Sequence, residues 1–486
     1  MYQLMNKDRV VADIEVAKGT LSTEYRTGRI HGRMPYGSMD IERWLENRKA
    51  SKHNKRLREI MVACGCEKTE GYIRITHAAT LNDTYWVRAV GENVCWNDVS
   101  LYRNNFNKTI SRLAFEGVGL YGLQISDTSP ELTTSGTFRK CWTRENGDIY
   151  LYKRGTEGAS NAGLEPYCEA MASEIAQHIC RDAVEYQCVR YRGAVASRCR
   201  LFTDEEKGYV PCGIMLSEPA SADGLLAFYR DIGEEEAFRR MIVLDALALN
   251  TDRHLNNHGV LVNNDTQEVL GMAPVFDMNL SLLPYCTKDD FDNIGKRIKE
   301  CSPSIGEDFT EMARLALTPA IRADLINMKG FAFSFRGDEI FPSWRVEALE
   351  GMVNRHIEAI LGRTPMVTKE VFPDKEDAIV RRLEGIAVKM EELACVEYAD
   401  VVREPFAPPH LEVTVANDDC EDIVLVSSGN NGDAKVMFNG RVLEKESELV
   451  GVSINTLKDV CDAKNRLNEL MRGEEKTMEK SACLDG

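Results

Sequence analysis

No run of apolar residues in this sequence approaches the ~18 that a membrane-spanning helix needs. The opening Met1–Val10 (MYQLMNKDRV) has no apolar core of the kind a secretory signal carries. A cytoplasmic, non-exported protein without membrane association is therefore the expectation. No CxxC pair occurs among the 15 cysteines, and Cys64–Gly65–Cys66 is a CxC with no partner nearby. Free, mostly buried thiols are expected rather than zinc ligands or disulfides. Positive charge is in deficit: 60 Lys and Arg stand against 77 Asp and Glu, a net charge of −17. Phosphate repels such a surface, which excludes a general nucleic-acid binder, although not a nucleotide that arrives with Mg²⁺. There is no internal repeat, no low-complexity tract, no convincing helix-turn-helix and no G-x-S-x-G elbow. His254 and His258 stand four apart but lack the glutamate of HExxH, so they read as polar loop histidines rather than a zinc pair.

What is present is ordinary globular composition, 43% hydrophobic and 28% charged over 486 residues. At roughly 100–200 residues per domain this allows two to four domains or lobes. Tyr2–Val16 reads as a strand and turn, with Asn6–Lys7–Asp8 interrupting apolar residues on both sides. Glu42–Met61 has helical spacing of Trp44, Leu45, Leu57, Ile60 and Met61. Its cations Arg48, Lys49, Lys52, Lys55, Arg56 and Arg58 read as a solvated face. Ser129–Gly136 is a polar loop, followed by strands over Thr137–Trp142 and Ile149–Lys153 joined by a turn at Glu145–Asn146–Gly147–Asp148. A helix begins near Glu165, with Tyr167, Met171, Ile175 and Ile179 stepping by four. Strand-like pieces follow at Val195–Thr203 and Tyr209–Leu216. Met241–Leu249 (MIVLDALAL) is apolar nearly all round and reads as a buried helix. Strands Gly259–Val262 and Val269–Phe276 flank a turn at Asn263–Asn264–Asp265–Thr266. Helices are expected over about Phe309–Leu361 and Lys369–Ala399. A linker at Arg403–Pro409, an acidic strand-containing stretch at Leu411–Arg441 and a charged helical tail come last.

Asp252, His254, Asn257 and Asp277 form the constellation that carries chemistry. If the two strands between them pair, the hairpin brings Asp252–Asn257 near Asp277. Two carboxylates and an amide oxygen there suit a hard cation, Mg²⁺ above all. A base, an amide ligand and a second carboxylate after a hairpin is the arrangement of kinase catalytic and metal loops. Lys153 on a strand, with a helix beginning twelve residues later at Glu165, fits a lysine that is paired to a helix glutamate and grips the α/β phosphates. Each feature alone is common; their order and spacing together carry the argument.

The run Leu244–Gly259 (LDALALNTDRHLNNHG), with Ala273–Pro274–Val275–Phe276–Asp277, resembles the catalytic signature of HipA-type serine/threonine kinases. Ser129–Lys140, Leu151–Tyr152–Lys153 and Asn161–Glu165 resemble that family's nucleotide-binding half, and Tyr2–Val16 resembles its opening strand. The resemblance is specific over about Ser129–Leu283, looser over Met1–Asp127, and ends near Pro365. It implies an α+β, two-lobed protein-kinase-like fold, with a mixed N-terminal lobe, a mainly helical C-terminal lobe and a C-terminal appendage. The corresponding divisions are an N-terminal subdomain (1–128), a nucleotide-binding lobe (129–222), a catalytic lobe (223–365) and an accessory segment (366–486). It implies ATP and Mg²⁺ as cofactors and a protein hydroxyl as acceptor. Asp252 is then the catalytic base and His254 its loop support. Asn257 and Asp277 are metal ligands, and Lys153 is the phosphate binder, with Glu165 or alternatively Glu169 as its partner. Gly136 and Lys140 match the family's phosphate loop and place Thr133 at its autophosphorylated position, with Thr134 and Ser135 adjacent. A phosphate there adds about −2 charge and repels ATP; the competing reading is a loop that only turns the chain or binds phosphate through its backbone. Family members often pair, as toxins, with a DNA-binding antitoxin, so any DNA contact is expected through a partner.

Three positions depart from the family's pattern. The loop has one glycine, Met278–Asn279 stands where Asn-Gly is frequent, and His258 stands where an aromatic is common. None removes a charged group. Two other readings remain: an idle kinase fold that binds a partner, and a kinase for a lipid or small-molecule alcohol.

Overall fold

The computed structural model describes residues 1–18, 23–50, 55–66, 68–117, 129–134, 136, 138–158, 161–216 and 221–362. Further on it describes 383, 386–390, 393, 395–402, 410–415, 423–428, 434–438, 441–443, 449 and 452–472. The chain divides into two compact units, Met1–Asp374 and Lys375–Gly486.

The first unit opens with a hairpin at the expected turn. Tyr2–Asn6 pairs antiparallel with Arg9–Lys18, and Lys7 turns the chain at a φ of 48°. Tyr85–Ala89 and Thr23–Ile30 complete a four-stranded sheet. Short helices cover it, each begun or ended by local chemistry. Asp40 accepts the Glu42 and Arg43 amides at the start of Ile41–Glu46. Asn107 does the same for Lys108–Glu116, which ends at Gly117 in the left-handed conformation.

The basic segment is not one solvated helix. It breaks at Asn47, and a second helix runs over Lys55–Ala63. Arg48 and Lys49 turn inward at the break and are buried. Arg48 pairs with both oxygens of Asp83 at 2.7 and 2.8 Å, donates to the Ala78 and Tyr85 carbonyls, and lies 4.3 Å over the Trp44 ring. These cations hold the subdomain together.

The second four-stranded sheet has the order Lys140–Glu145, Asp148–Arg154, Ala194–Arg200, Tyr186–Tyr191. Asn146 and Gly147 both have positive φ, as a tight two-residue hairpin turn requires. The helix Glu165–Ile179 packs on this sheet and buries Tyr167, Met171, Ile175 and Ile179, the stripe read from spacing. Burial of each such side chain stabilises by about 1.5–3 kcal/mol.

Two strands end sooner than their apolar runs suggest. Lys207–Pro211 gives way to a helical turn, Cys212–Met215, and Val269–Met272 stops short of Phe276. Pro211 cannot donate to a ladder, and Gly271 at φ 148° bends the other strand. With Gly259–Asn263 between them they form a three-stranded antiparallel sheet. The remainder of this lobe is helical. Glu235–Ala248 is buried through its apolar run, and Phe309–Ala316, Pro319–Asn327 and Ser343–Leu361 pack around it. The architecture is thus α+β, with a mixed first half and a mainly helical second half.

The second unit contains a five-stranded antiparallel sheet, Val396–Val402, His410–Val415, Ile423–Ser428, Lys435–Phe438 and Arg441–Leu443 in that order, and the helix Ile454–Arg472. The expected helix over Lys369–Ala399 is corrected at its end, where Val396–Val402 is a strand with valines at both ends and Tyr398 between them. Most of its earlier part and the Arg403–Pro409 linker lie outside the described residues. Every cysteine among the described residues is a free thiol. No helix among them is long and apolar enough to cross a membrane.

Candidate active site

Strand register builds the first half of the site. Lys153 stands directly opposite Lys140 on one neighbouring strand and Ser197 on the other, so all three share a face of the sheet. The helix Glu165–Ile179 crosses that face. Lys153 Nζ donates to Glu169 Oε1 at 2.7 Å, and Ser197 Oγ donates to the other oxygen of the same carboxylate. Glu169 is fully buried.

Glu165, the first candidate for the lysine partner, is not in contact with Lys153. It sits one turn earlier on the same helix and accepts the Thr156 backbone N–H and hydroxyl. The chain leaving the strand at Gly155–Thr156 passes over Glu165 and occupies it, so the lysine reaches the deeper carboxylate. Glu165 supports the turn, and Glu169, the alternative, is the lysine's partner.

Lys153 Nζ also donates to Asp277 Oδ1 at 2.6 Å. One ammonium therefore joins this sheet, the helix packed on it and the chain that leaves the hairpin. Burial by itself would strip the proton from Lys153, but Asp277 and Glu169 outweigh it and hold the amine well above its ordinary range. Burial pushes Asp277 up, yet Lys153 and Lys140 hold its carboxyl down at about 2. Burial raises Glu169, opposed by Lys153 and by the Ser197 hydroxyl. Lys140 is lowered to about 8 by burial, with Lys153 adding repulsion and Asp277 opposing both. Asp277 has a φ of 56°, a conformation that costs a non-glycine residue about 1–2 kcal/mol. Its amide donates to the Tyr186 hydroxyl at 3.1 Å, which helps to hold it there.

The second half follows the buried helix. Leu249, at φ 49°, ends Glu235–Ala248 and turns the chain into Asn250–His254. Arg253 folds back under this loop and is 1% exposed. It donates Nε to Asp245 Oδ2 and Nη2 to Oδ1, both at 3.0 Å, and Nη1 to the carbonyls of Asn257 at 2.9 Å and Phe276 at 2.6 Å. That single guanidinium ties the loop to the residue before Asp277.

Asp252, half-buried, accepts from Asn257 Nδ2 through its backbone carbonyl at 2.8 Å. The Asn257 amide nitrogen is thereby committed and its oxygen is the atom left for a cation. His254 accepts the Asn256 amide at Nδ1, 3.2 Å, and its carbonyl accepts the Asn257 amide, which places it as a support of the loop turn. Buried His258 bonds the Tyr229 hydroxyl at 2.9 Å and is a core residue, not half of a metal pair.

The phosphate-loop candidates lie beside Lys140. Pro130–Thr133 is a single 3₁₀ turn, and Thr133, 9% exposed, donates to the Pro130 carbonyl at 3.1 Å. Thr134 donates to the same carbonyl at 2.6 Å and accepts from Trp142 Nε1 at 2.9 Å. Gly136 has a φ of 101°, and a Cβ there would collide with Lys140 Nζ, so the loop backbone rides directly over that lysine. Ser135 lies outside the described residues.

Among the described residues no three His, Cys, Asp or Glu converge as a metal cage. One carboxylate and one amide oxygen fit a magnesium ion that takes its remaining ligands from water and phosphate oxygens. Sequence reasoning missed Asp245, Arg253, Ser197 and Tyr186. Asp245 alone left a signal, as a carboxylate inside the otherwise apolar run Met241–Leu249 that must find a cation.

No protein-family model matches the chain, and no curated protein matches it closely. Among solved structures it is similar to the Helicobacter pylori proinflammatory kinase CtkA, at 19% identity and a TM-score of 0.36, over 46% of this chain and 94% of that one. It is also similar to the Shewanella oneidensis MR-1 toxin–antitoxin system of HipA, HipB and its operator DNA, at 11% identity and a TM-score of 0.45, over 75% of this chain and 98% of that one.

Proposed function

We propose that this chain is an ATP- and Mg²⁺-dependent serine/threonine protein kinase of the HipA type. One observation carries the reading: the Lys153 ammonium is held between buried Glu169 and Asp277, at the point where its sheet meets the hairpin that also carries Asn257. An ammonium has three N–H donors. Glu169 and Asp277 take two, which leaves the third for a phosphate oxygen. Lys140, beside it on the same face, supplies a second cation. Asn257 Oδ1 and the second oxygen of Asp277 would hold Mg²⁺, which supplies neutralising charge on the phosphates. Asp252 stands at the start of the same loop, where it accepts the proton of the incoming hydroxyl. As that proton leaves, the acceptor oxygen bonds to the γ-phosphorus, and the bond to the bridging β–γ oxygen breaks with ADP departing. Arg253 keeps the base and the metal ligands in register through the backbone. The reading extends to a toxin role and a DNA-binding antitoxin partner on the strength of the sequence resemblance, and co-purification of a neighbouring small DNA-binding protein tests that part.

The deciding experiment is incubation with γ-labelled ATP and Mg²⁺, beside Asp252→Gln, read by intact mass and phosphopeptide mapping. Transfer to protein hydroxyls by the wild type alone is expected, with ATP binding retained in the variant. ATP binding without transfer to itself or to lysate proteins would replace the reading with an idle fold or a non-protein acceptor.

A further inference from the structure

The N-terminal subdomain reaches the metal half of the site at an unexpected place. The tip of the hairpin Gly259–Asn263/Val269–Met272 is far in sequence from the opening sheet, yet four side chains of that subdomain close on three of its backbone carbonyls and one side chain. Asn6 Nδ2 donates to the Asn264 carbonyl at 2.6 Å, and its own oxygen accepts from Thr84 Oγ1 at 2.6 Å, which fixes the amide's orientation. Lys7 pairs with Asp265 at 2.7 Å. Arg33 donates to the Thr266 carbonyl, and the Tyr36 hydroxyl donates to the Gln267 carbonyl at 2.9 Å. The grip continues through the third strand of the same sheet. The Tyr209 amide donates to the Asn82 carbonyl at 2.7 Å, its hydroxyl donates to the Asn256 carbonyl at 2.9 Å, and its ring stands edge-on to Phe276 at 5.3 Å.

We propose that the N-terminal subdomain is a positioning clamp for the metal ligands: Asn6, Lys7, Arg33 and Tyr36 hold the hairpin tip, and Tyr209 carries that constraint to the loop of Asn257 and to the residue before Asp277. The strands of this small sheet are four or five residues long, and the ends of a hairpin are only as fixed as its register. Here the ends carry the amide and the carboxylate that must meet one cation, so a slip at the tip separates them. Three of the four contacts are to backbone carbonyls, so they depend on the donors opposite more than on the side chains of the turn. These four are positioning residues; none touches the reacting atoms. The clamp rests on the kinase reading only for its consequence, not for its existence.

The test uses the full chain. Tyr36→Phe removes one hydroxyl with its packing intact, Arg33→Met removes the neighbouring donor, and Arg33→Lys restores a donor. Arg26→Gln, at an exposed pair on the same subdomain, is the control. ATP affinity is measured by calorimetry with and without Mg²⁺, and amide exchange is measured without nucleotide. Tyr36→Phe and Arg33→Met are expected to lose about 10-fold in affinity for Mg²⁺-ATP. Their affinity for metal-free ATP should stay unchanged, and exchange should quicken over 252–277 but not over 148–179. Arg33→Lys should regain part of the loss. A support that merely stabilised the fold would lower both affinities together and quicken exchange throughout, and that result would overturn the clamp, as would wild-type exchange over 252–277. If Asp277→Asn binds Mg²⁺-ATP as the wild type does, the kinase reading fails, and the exchange measurement still decides the clamp.

Discussion

Replacing Arg253 with methionine tests the idea that one buried cation holds the Asn250–Asn257 loop, proposed to be catalytic, in register. The guanidinium is 1% exposed, and it satisfies both oxygens of Asp245 and two backbone carbonyls. Methionine fills much of the volume and supplies no donor. Removing one partner of a buried pair costs about 3–5 kcal/mol, because the remaining charge is stranded. Each carbonyl left without a donor costs about 1–3 kcal/mol. These terms overlap, since Asp245 can take up a proton and water can enter. A loss of ~5 kcal/mol is therefore expected, a third or more of the ~5–15 kcal/mol that stabilises a whole domain. Adding Asp245→Leu should return about 3 kcal/mol, since the stranded carboxylate is gone. Phosphate transfer should not return with it, because the Asn257 and Phe276 carbonyls stay untethered. A misplacement of about 1 Å there costs ~10²-fold in rate. Two compact units rule out a single two-state melt. The readings are therefore amide exchange over 235–257 under increasing urea, and single-turnover transfer from labelled ATP. A loss below ~1 kcal/mol in Arg253→Met, or a double variant as inactive in folding as the sum of its parts, would refute the reasoning.

Asp277→Asn keeps the shape and removes the charge that pairs with Lys153 and that the proposed cation would use; Mg²⁺-dependent nucleotide affinity should fall at least ~10-fold, and an unchanged Mg²⁺-ATP titration would remove it as a ligand. Lys140, lowered to about 8 from 10.5 by burial, should carry a proton at pH 7 and shed it as pH rises through 8. ATP affinity should therefore fall above pH 8 in the wild type and not in Lys140→Met. Without nucleotide the sign for stability is opposite: the unfolded chain binds the extra proton between pH 8 and 10.5, so this group makes the fold more stable as pH rises through that window. A pH profile identical in the two proteins would sink the assignment. Thr133→Glu places a charge where a buried hydroxyl bonds the Pro130 carbonyl. It should weaken ATP binding and quicken exchange over 129–134, and equal affinity would remove the switch proposed for this loop.

Much of the fold was legible in order. Helix Glu165–Ile179 and the Glu145–Asp148 turn follow from periodicity and from two residues that tolerate positive φ. Such features depend on neighbours within a turn or two, and local propensity expresses them directly. The basic segment was misread because periodicity counts apolar residues and is silent about where a cation finds its anion; Asp83, across the subdomain, turned Arg48 inward. The choice between Glu165 and Glu169 was equally invisible, since both lie on one helix face and only the path of Gly155–Thr156 decides which is already occupied.

By itself the sequence determined which groups are available: Lys153, Asp252, Asn257 and Asp277, their spacing, and the hairpin that folds between the last three. Tertiary structure alone decided how they are shared. It placed Lys140 and Ser197 beside Lys153 by strand register, gave Asp277 and Glu169 the same ammonium, and set Arg253 beneath the loop. It also brought Asn6, Lys7, Arg33 and Tyr36 onto a turn more than two hundred residues away. The physical reason is the range of the forces. Backbone preference and hydrophobic periodicity act between neighbours along the chain. The partner of a buried charge or carbonyl is whatever donor the packed core delivers, and that is settled only when distant segments meet.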